Sequence, residues 1–187
     1  MNKTVACPIL LLFVVGCQSN EAKLADSIAE GNRLYQQDNY LGAERVLTAA
    51  ISANPQDPIV AEAYYIRGLI RSKEATQVRL AEQDFLAAMR LTKRKDLKTN
   101  CETCIASIAY EKAEWTRAYQ YYSMAAPDLP IVSPSDWVLY RLGVTAQKVG
   151  KWDEARKAFA RLIRDFSQSD AAKLARPSAI HCNVGQD

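Results

Sequence analysis

The pair Cys101-Glu-Thr-Cys104 is the arrangement in this sequence best suited to covalent chemistry. Two thiols three residues apart can form a disulfide, and one of them gains thiolate character if it sits at a helix N-terminus. Thr99-Asn100-Cys101-Glu102 has the spacing of a capping box, in which Thr and Glu side chains each satisfy an otherwise unpaired backbone N–H. That spacing predicts a helix opening at Thr99, with Cys101 in its first turn and Cys104 one turn on. Redox sensing would follow from this placement. The blander reading, small packed residues or a structural disulfide, takes precedence because no strand–helix–strand context surrounds the pair. A disulfide could join Cys101 to Cys104, or either of them to Cys182. His181-Cys182 completes a nominal Cys3His set, but adjacent ligands depart from the spacing of zinc sites, so no metal is expected.

Other chemistry has no residues to carry it. Nucleophile-elbow, dinucleotide, P-loop and H-E-x-x-H motifs are absent, and the single histidine, His181, lies near the C-terminus. The chain is therefore read as a non-enzyme without cofactors. At 187 residues, 49% of them hydrophobic, it has the size of one domain. The formal charge of +3 includes a run at Lys93, Arg94, Lys95 and Lys98. Such a run between helices is a solvated turn, and without interleaved stacking aromatics no nucleic-acid partner is expected.

The elements that must position any site begin after an N-terminal leader. Lys3 precedes the apolar stretch Pro8-Ile-Leu-Leu-Leu-Phe-Val-Val15, too short to span a bilayer but suited to the core of a signal peptide. Val14-Val15-Gly16-Cys17 resembles the bacterial lipobox, which implies cleavage after residue 16 and lipidation of Cys17. Residues 1–16 are thus read as signal peptide and 17–23 as a polar tether. Gln18 is not the aspartate that, in enterobacteria, retains lipoproteins at the inner membrane. An outer-membrane anchor facing the periplasm is expected.

Four copies of one pattern fill the rest of the chain. Leu139-x2-Leu142-Gly143-x2-Ala146 followed by Ala155-x3-Phe159 is the clearest, and the copies start at about residues 24, 61, 99 and 136. Each places a small residue (Gly31, Gly68, Ala106, Gly143) on a first helix and an alanine (Ala43, Ala81, Ala118, Ala155) on a second, where the two would meet at the crossing. Tyr40, Trp115, Trp152, Phe85, Tyr122 and Phe159 are expected to fill the space between units. Asp57-Pro58 and Ser133-Pro134 read as caps ahead of first helices. The second unit carries one extra residue around Glu74–Arg79. Repeats at 24–57, 61–95, 99–132 and 136–169 are followed by a short capping helix to residue 176 and a flexible tail, 177–187.

This pattern resembles the tetratricopeptide repeat, a helix pair of about 34 residues. The resemblance implies an all-α solenoid of four pairs with right-handed superhelical twist. With the lipobox, the chain is similar to tetratricopeptide lipoproteins of bacterial envelopes. Residues 140–172 look most like the C-terminal repeats of the Tol–Pal-associated periplasmic protein and the outer-membrane-protein assembly lipoprotein. In that family the first helices line a concave groove that receives a peptide or helix. Carried over by position, the groove here comprises Asn32, Tyr35, Tyr65, Leu69, Ser107, Tyr110, Tyr140, Val144 and Gln147, with Trp137 at its edge. Members that clamp a C-terminal carboxylate carry a Lys where this chain has Ile28, so that clamp is incomplete although Asn32 and Arg141 match. The implied function is a membrane-tethered adaptor for protein partners in the cell envelope. The alternative is a redox-responsive regulator using Cys101 and Cys104.

Overall fold

The computed structural model describes residues 20–184, with side chains to Ser178. Among the described residues nine α-helices run in order: α1 (Asn20–Gln36), α2 (Tyr40–Ala53), α3 (Ala61–Ser72), α4 (Val78–Leu91), α5 (Lys95–Glu111), α6 (Trp115–Ala125), α7 (Ser135–Lys148), α8 (Trp152–Asp165) and α9 (Asp170–Val184). No strand occurs among the described residues. Helices α1/α2, α3/α4, α5/α6 and α7/α8 form the four expected pairs, and α9 packs on α8 and α7. Each pair buries an apolar stripe that neither helix could cover alone. The second helices begin at Tyr40, Val78, Trp115 and Trp152, so the repeat period is kept there. The first helices differ in length, and that is where the repeat varies.

Within a pair, the small residue opposes a large one rather than the alanine expected from the sequence. A Cβ on Gly143 would lie 2.3 Å from Phe159 Cε1. One on Gly68 would meet Phe85 at 2.7 Å, and one on Gly31 would meet Leu47 at 2.5 Å. The alanine sits one helical turn earlier and is buried beside this contact, which lets the backbones approach. Phe85, Tyr122 and Phe159 are fully buried, as the pattern implied. Trp152 is not a filler: it is 39% exposed because it opens its helix at the outer edge of the stack. Tyr40 and Trp115, at the same position, are half-buried.

Three of the four turns within pairs share one structure. Asp38 (φ 57°), Ala113 (φ 56°) and Gly150 (φ 72°) occupy the left-handed region. The next residue in each, Asn39, Glu114 or Lys151, donates its N–H to the carbonyl five residues back, at 2.8–2.9 Å. This closure ties off carbonyls that the helix end leaves open. The second unit departs from it: Lys73 and Glu74 lead into a 3₁₀ turn at Ala75–Gln77 before α4. The extra residue read from the sequence is accommodated there.

Several boundaries differ from those the sequence predicts. Asp57 does cap, accepting from Ile59 N at 2.9 Å, but it opens a 3₁₀ turn, Pro58–Val60, that leads into α3. Ser133 does not cap α7, which starts at Ser135 after Pro134 with no side-chain bond. The capping box at Thr99 is absent because α5 starts four residues earlier, at Lys95. Thr99 and Glu102 are buried inside the helix instead. Residues 20–23, assigned to the tether, form the first turn of α1. Helix α9 continues through Pro177 to Val184, where a frayed tail was expected. Its buried Ala171, Ala172 and Ala175 seal the apolar end of the last pair. The leader and Cys17 lie outside the described residues.

Curvature follows from which helices touch. First helices contact their successors, α1 with α3, α3 with α5, α5 with α7 and α7 with α9. Successive second helices make at most marginal contact. A stack whose first helices lie closer together than its second helices must bend toward the first, which therefore line the inner face.

Candidate functional site: the inner face and its neighbouring pocket

The ten residues predicted for the groove all lie on α1, α3, α5 and α7. Nine are half-buried, and Trp137 is 40% exposed. The aromatic members are anchored by rings behind or beside them. Tyr35 packs against Tyr40 with centroids 5.8 Å apart, Tyr65 against Phe85 at 6.0 Å, and Tyr140 against Phe159 at 6.2 Å. Tyr110 meets Trp115 edge-on at 5.5 Å and carries the Arg141 guanidinium 4.9 Å above its ring. Trp137 stands edge-on to Tyr140 at 5.8 Å. These rings are held in fixed orientations by their neighbours and remain partly exposed, as anchoring aromatics require.

Polar members are tied down similarly. Ser107 and Tyr122 share a hydrogen bond of 3.1 Å across the third pair. Gln147 Nε2 donates to the Ser178 carbonyl of α9 at 3.4 Å. Arg141, besides stacking on Tyr110, pairs with Glu111 at 3.2 Å. Ile28 is buried in the core of the first pair, so its position offers nothing to a carboxylate.

Cys101 and Cys104 are free thiols one turn apart on α5. Because the helix starts at Lys95, Cys101 is in its second turn, away from the helix end that would favour a thiolate. Burial pushes the Cys101 thiol far above the ordinary range, with the neighbouring Cys104 and Glu102 adding to the effect. Burial also raises Cys104, to about 12. Both are therefore neutral thiols at physiological pH, the opposite of the redox-poised pair the capping box implied. The side chains of His181 and Cys182 lie outside the described residues. No cluster of metal-ligating side chains occurs among the described residues.

Next to this face lies a pocket that sequence reasoning did not anticipate. It has a volume of about 450 Å³ and sits between the irregular α3–α4 turn and α5. Ala75 and Val78 form one wall, Cys104 and Ile108 the other, with Phe85 between them. Ser107 belongs both to this pocket and to the predicted groove, and Phe85 carries Tyr65 against its ring. The extra residue of the second unit was the signal that could have located it.

A buried ionic network was equally invisible. Arg67 makes a two-pronged contact with Asp84, at 2.6 and 3.0 Å, and donates to Thr48 Oγ1 at 3.2 Å. Arg71 joins the same carboxylate at 3.0 Å and Glu44 at 2.8 Å. Two cations and two anions from α2, α3 and α4 thus fasten the first unit to the second. Glu82 on α4 likewise receives Arg117 and, at 3.6 Å, Lys112 from the third unit. Arg161 on α8 donates to the carbonyls of Ala126 and Leu129, tying the fourth unit to the third.

Comparison with known proteins agrees with this architecture. The family model described as tetratricopeptide repeat matches residues 28–71 and 140–176. No curated protein sequence matches the chain. Among solved structures, that of pilF from Pseudomonas aeruginosa is similar, with a TM-score of 0.65 and 18% identity over 89% of this chain and 72% of that one. A tetratricopeptide repeat protein from Parabacteroides merdae superposes with a TM-score of 0.67 at 17% identity, covering 86% of this chain and 60% of its own. YrrB, described as a tetratricopeptide protein with an unusual peptide-binding site, gives 0.65 at 14% identity, over 90% and 94% of the two chains. The chain has the fold of a tetratricopeptide solenoid, and the repeat's own sequence signature is recognised at both ends of its array.

Proposed function

We propose that this protein is a non-catalytic adaptor that holds polypeptide partners on the inner face of its solenoid, tethered by a lipid on Cys17 to a bacterial membrane. The observation that carries the reading is the series Tyr35, Tyr65, Tyr110 and Tyr140 on consecutive first helices, backed by fixed rings. Rigid aromatic groups lose little entropy on binding and commonly anchor interfaces. The described helices include none long and apolar enough to cross a membrane. The lipobox and Gln18 favour the outer membrane, facing the periplasm, and a role in envelope assembly. A redox function gains no support from two buried, neutral thiols.

Two measurements test the proposal. Tyr110 and Trp137 lean on the part-exposed rings of Trp115 and Tyr140, whereas Tyr65 and Tyr140 back onto buried Phe85 and Phe159. A Tyr110→Ala/Trp137→Ala variant should therefore keep its melting temperature within a few degrees. Crosslinking in cells should then recover its partners at about a tenth of the parental yield or less. A variant that stays folded and captures the same partners undiminished would move the binding surface elsewhere. Cys17→Ser should release the protein from membranes washed with high salt, and retention would remove the lipid anchor from the proposal.

A further inference from the structure

We infer that the pocket between the α3–α4 turn and α5 is a specificity pocket for uncharged, apolar side chains of a bound polypeptide, with a leucine, methionine or phenylalanine as its anchor. The inference rests on the proposed binding of polypeptides at the inner face and says what such a segment must carry. Its first support is position. Three pair turns close in the same tight way, and the one that does not is the turn whose 3₁₀ segment, Ala75–Gln77, forms the wall of this pocket. The departure from the repeat and the pocket coincide.

The second support is complementarity of charge and hydrogen bonding. Each hydroxyl and each charged side chain in the lining already has a partner within the chain. Ser72 donates to the Leu69 carbonyl at 2.8 Å and Thr103 to the Thr99 carbonyl at 2.9 Å. Ser107 is engaged with Tyr122. Glu111 is paired with Arg141 and Lys112 with Glu82. The hydroxyl protons are committed, and the opposite charges of Glu111 and Lys112 sit at the exposed rim, so a polar group buried in the pocket would find little to offset its desolvation. What remains is apolar surface from Ala75, Val78, Phe85, Cys104 and Ile108, which gains by excluding water. The third support is continuity: Ser107 and the Phe85–Tyr65 stack join the pocket to the aromatic face, so a segment lying on that face can turn a side chain into it.

The test uses the full-length protein and a displayed library of random peptides. Enriched peptides should share one Leu, Met or Phe, and its replacement by Ala should weaken binding by about tenfold or more. Ala75 is exposed on the turn, so Ala75→Trp should plug the pocket without lowering the melting temperature and cause a similar loss. Photo-leucine placed at the shared position should crosslink to residues 75–78 or 104–108, a readout that does not depend on any variant of the protein. Peptides that lose binding to Tyr110→Ala/Trp137→Ala but ignore Ala75→Trp, and crosslink to α7, would overturn the pocket while leaving the adaptor reading intact. Failure to enrich any peptide sensitive to either change would overturn both. Palmitate binding that Ala75→Trp abolishes, with no peptide entering, would make this a lipid site and overturn the polypeptide occupant.

Discussion

Replacing Gly143 with alanine adds one methyl group to the tightest of the three glycine crossings. The new Cβ would stand 2.3, 2.5 and 2.7 Å from Cε1, Cζ and Cδ1 of Phe159. Carbon atoms in favourable contact lie about 3.5–4.0 Å apart, so the ring must withdraw by roughly an ångström or more. It has nowhere to go: Phe159 is wholly buried, and Tyr140 packs against it. Overpacking of this kind costs about 1–3 kcal/mol. Alanine in place of glycine returns up to about 1 kcal/mol through helix propensity. A contact of 2.3 Å against a trapped ring belongs in the upper part of the overpacking range, about 2–3 kcal/mol. The net loss is therefore about 1–2 kcal/mol, which for a chain of this length lowers the melting temperature by about 2–8 °C. Thermal melts followed by far-ultraviolet circular dichroism, with urea titration as a second measure, read this directly. Phe159→Leu introduced into the Gly143→Ala background should recover part of the loss, because it removes the ring edge. Gly68→Ala should cost less, since its closest approach is 2.7 Å. If Gly143→Ala melted at or above the parental temperature, the close crossing of α7 and α8 would be wrong.

Two further outcomes follow from the buried charges and thiols. Asp84→Ala leaves Arg67 and Arg71 without their shared carboxylate and should cost about 3–5 kcal/mol in urea unfolding, with Arg67→Met in the same chain restoring part of it. For the thiols, folding raises the pKa from about 8.5 in the unfolded chain to about 12 at Cys104. Their contribution is thus complete below about pH 8.5 and is lost as pH rises toward 12, at up to about 1.4 kcal/mol per pH unit for each thiol. Urea midpoints should fall across that window, and a Cys101→Ala/Cys104→Ala protein should show a shallower fall.

Sequence period was enough to place the helix pairs because small and large residues recur where backbones must approach, and Gly31, Gly68 and Gly143 mark those approaches directly. It misassigned their partners, since the alanine and the bulky residue lie one turn apart and only the packed geometry says which one touches. The capping box at Thr99 failed for a related reason. Thr-x-x-Glu satisfies helix ends only where a helix ends, and the same four residues are compatible with a helix interior once burial of Thr99 and Glu102 is favoured. The predicted groove residues fall on the four first helices because helical position follows from period. The pocket and the Arg67–Asp84 pair were not legible, because each depends on residues brought together from separate helices with no local signature.

The pattern of contacts also has a mechanical consequence. Every substantial contact lies within one unit or joins it to the next, so the array behaves as a short spring whose links can flex almost independently. Its joints are unequal in character. The first is locked by a buried charge network, the third by an arginine holding backbone carbonyls, and the second by Arg117 and Lys112 on Glu82 beside an open pocket. Anything wedged into that pocket would bear on the second joint and so set the curvature of the whole arc.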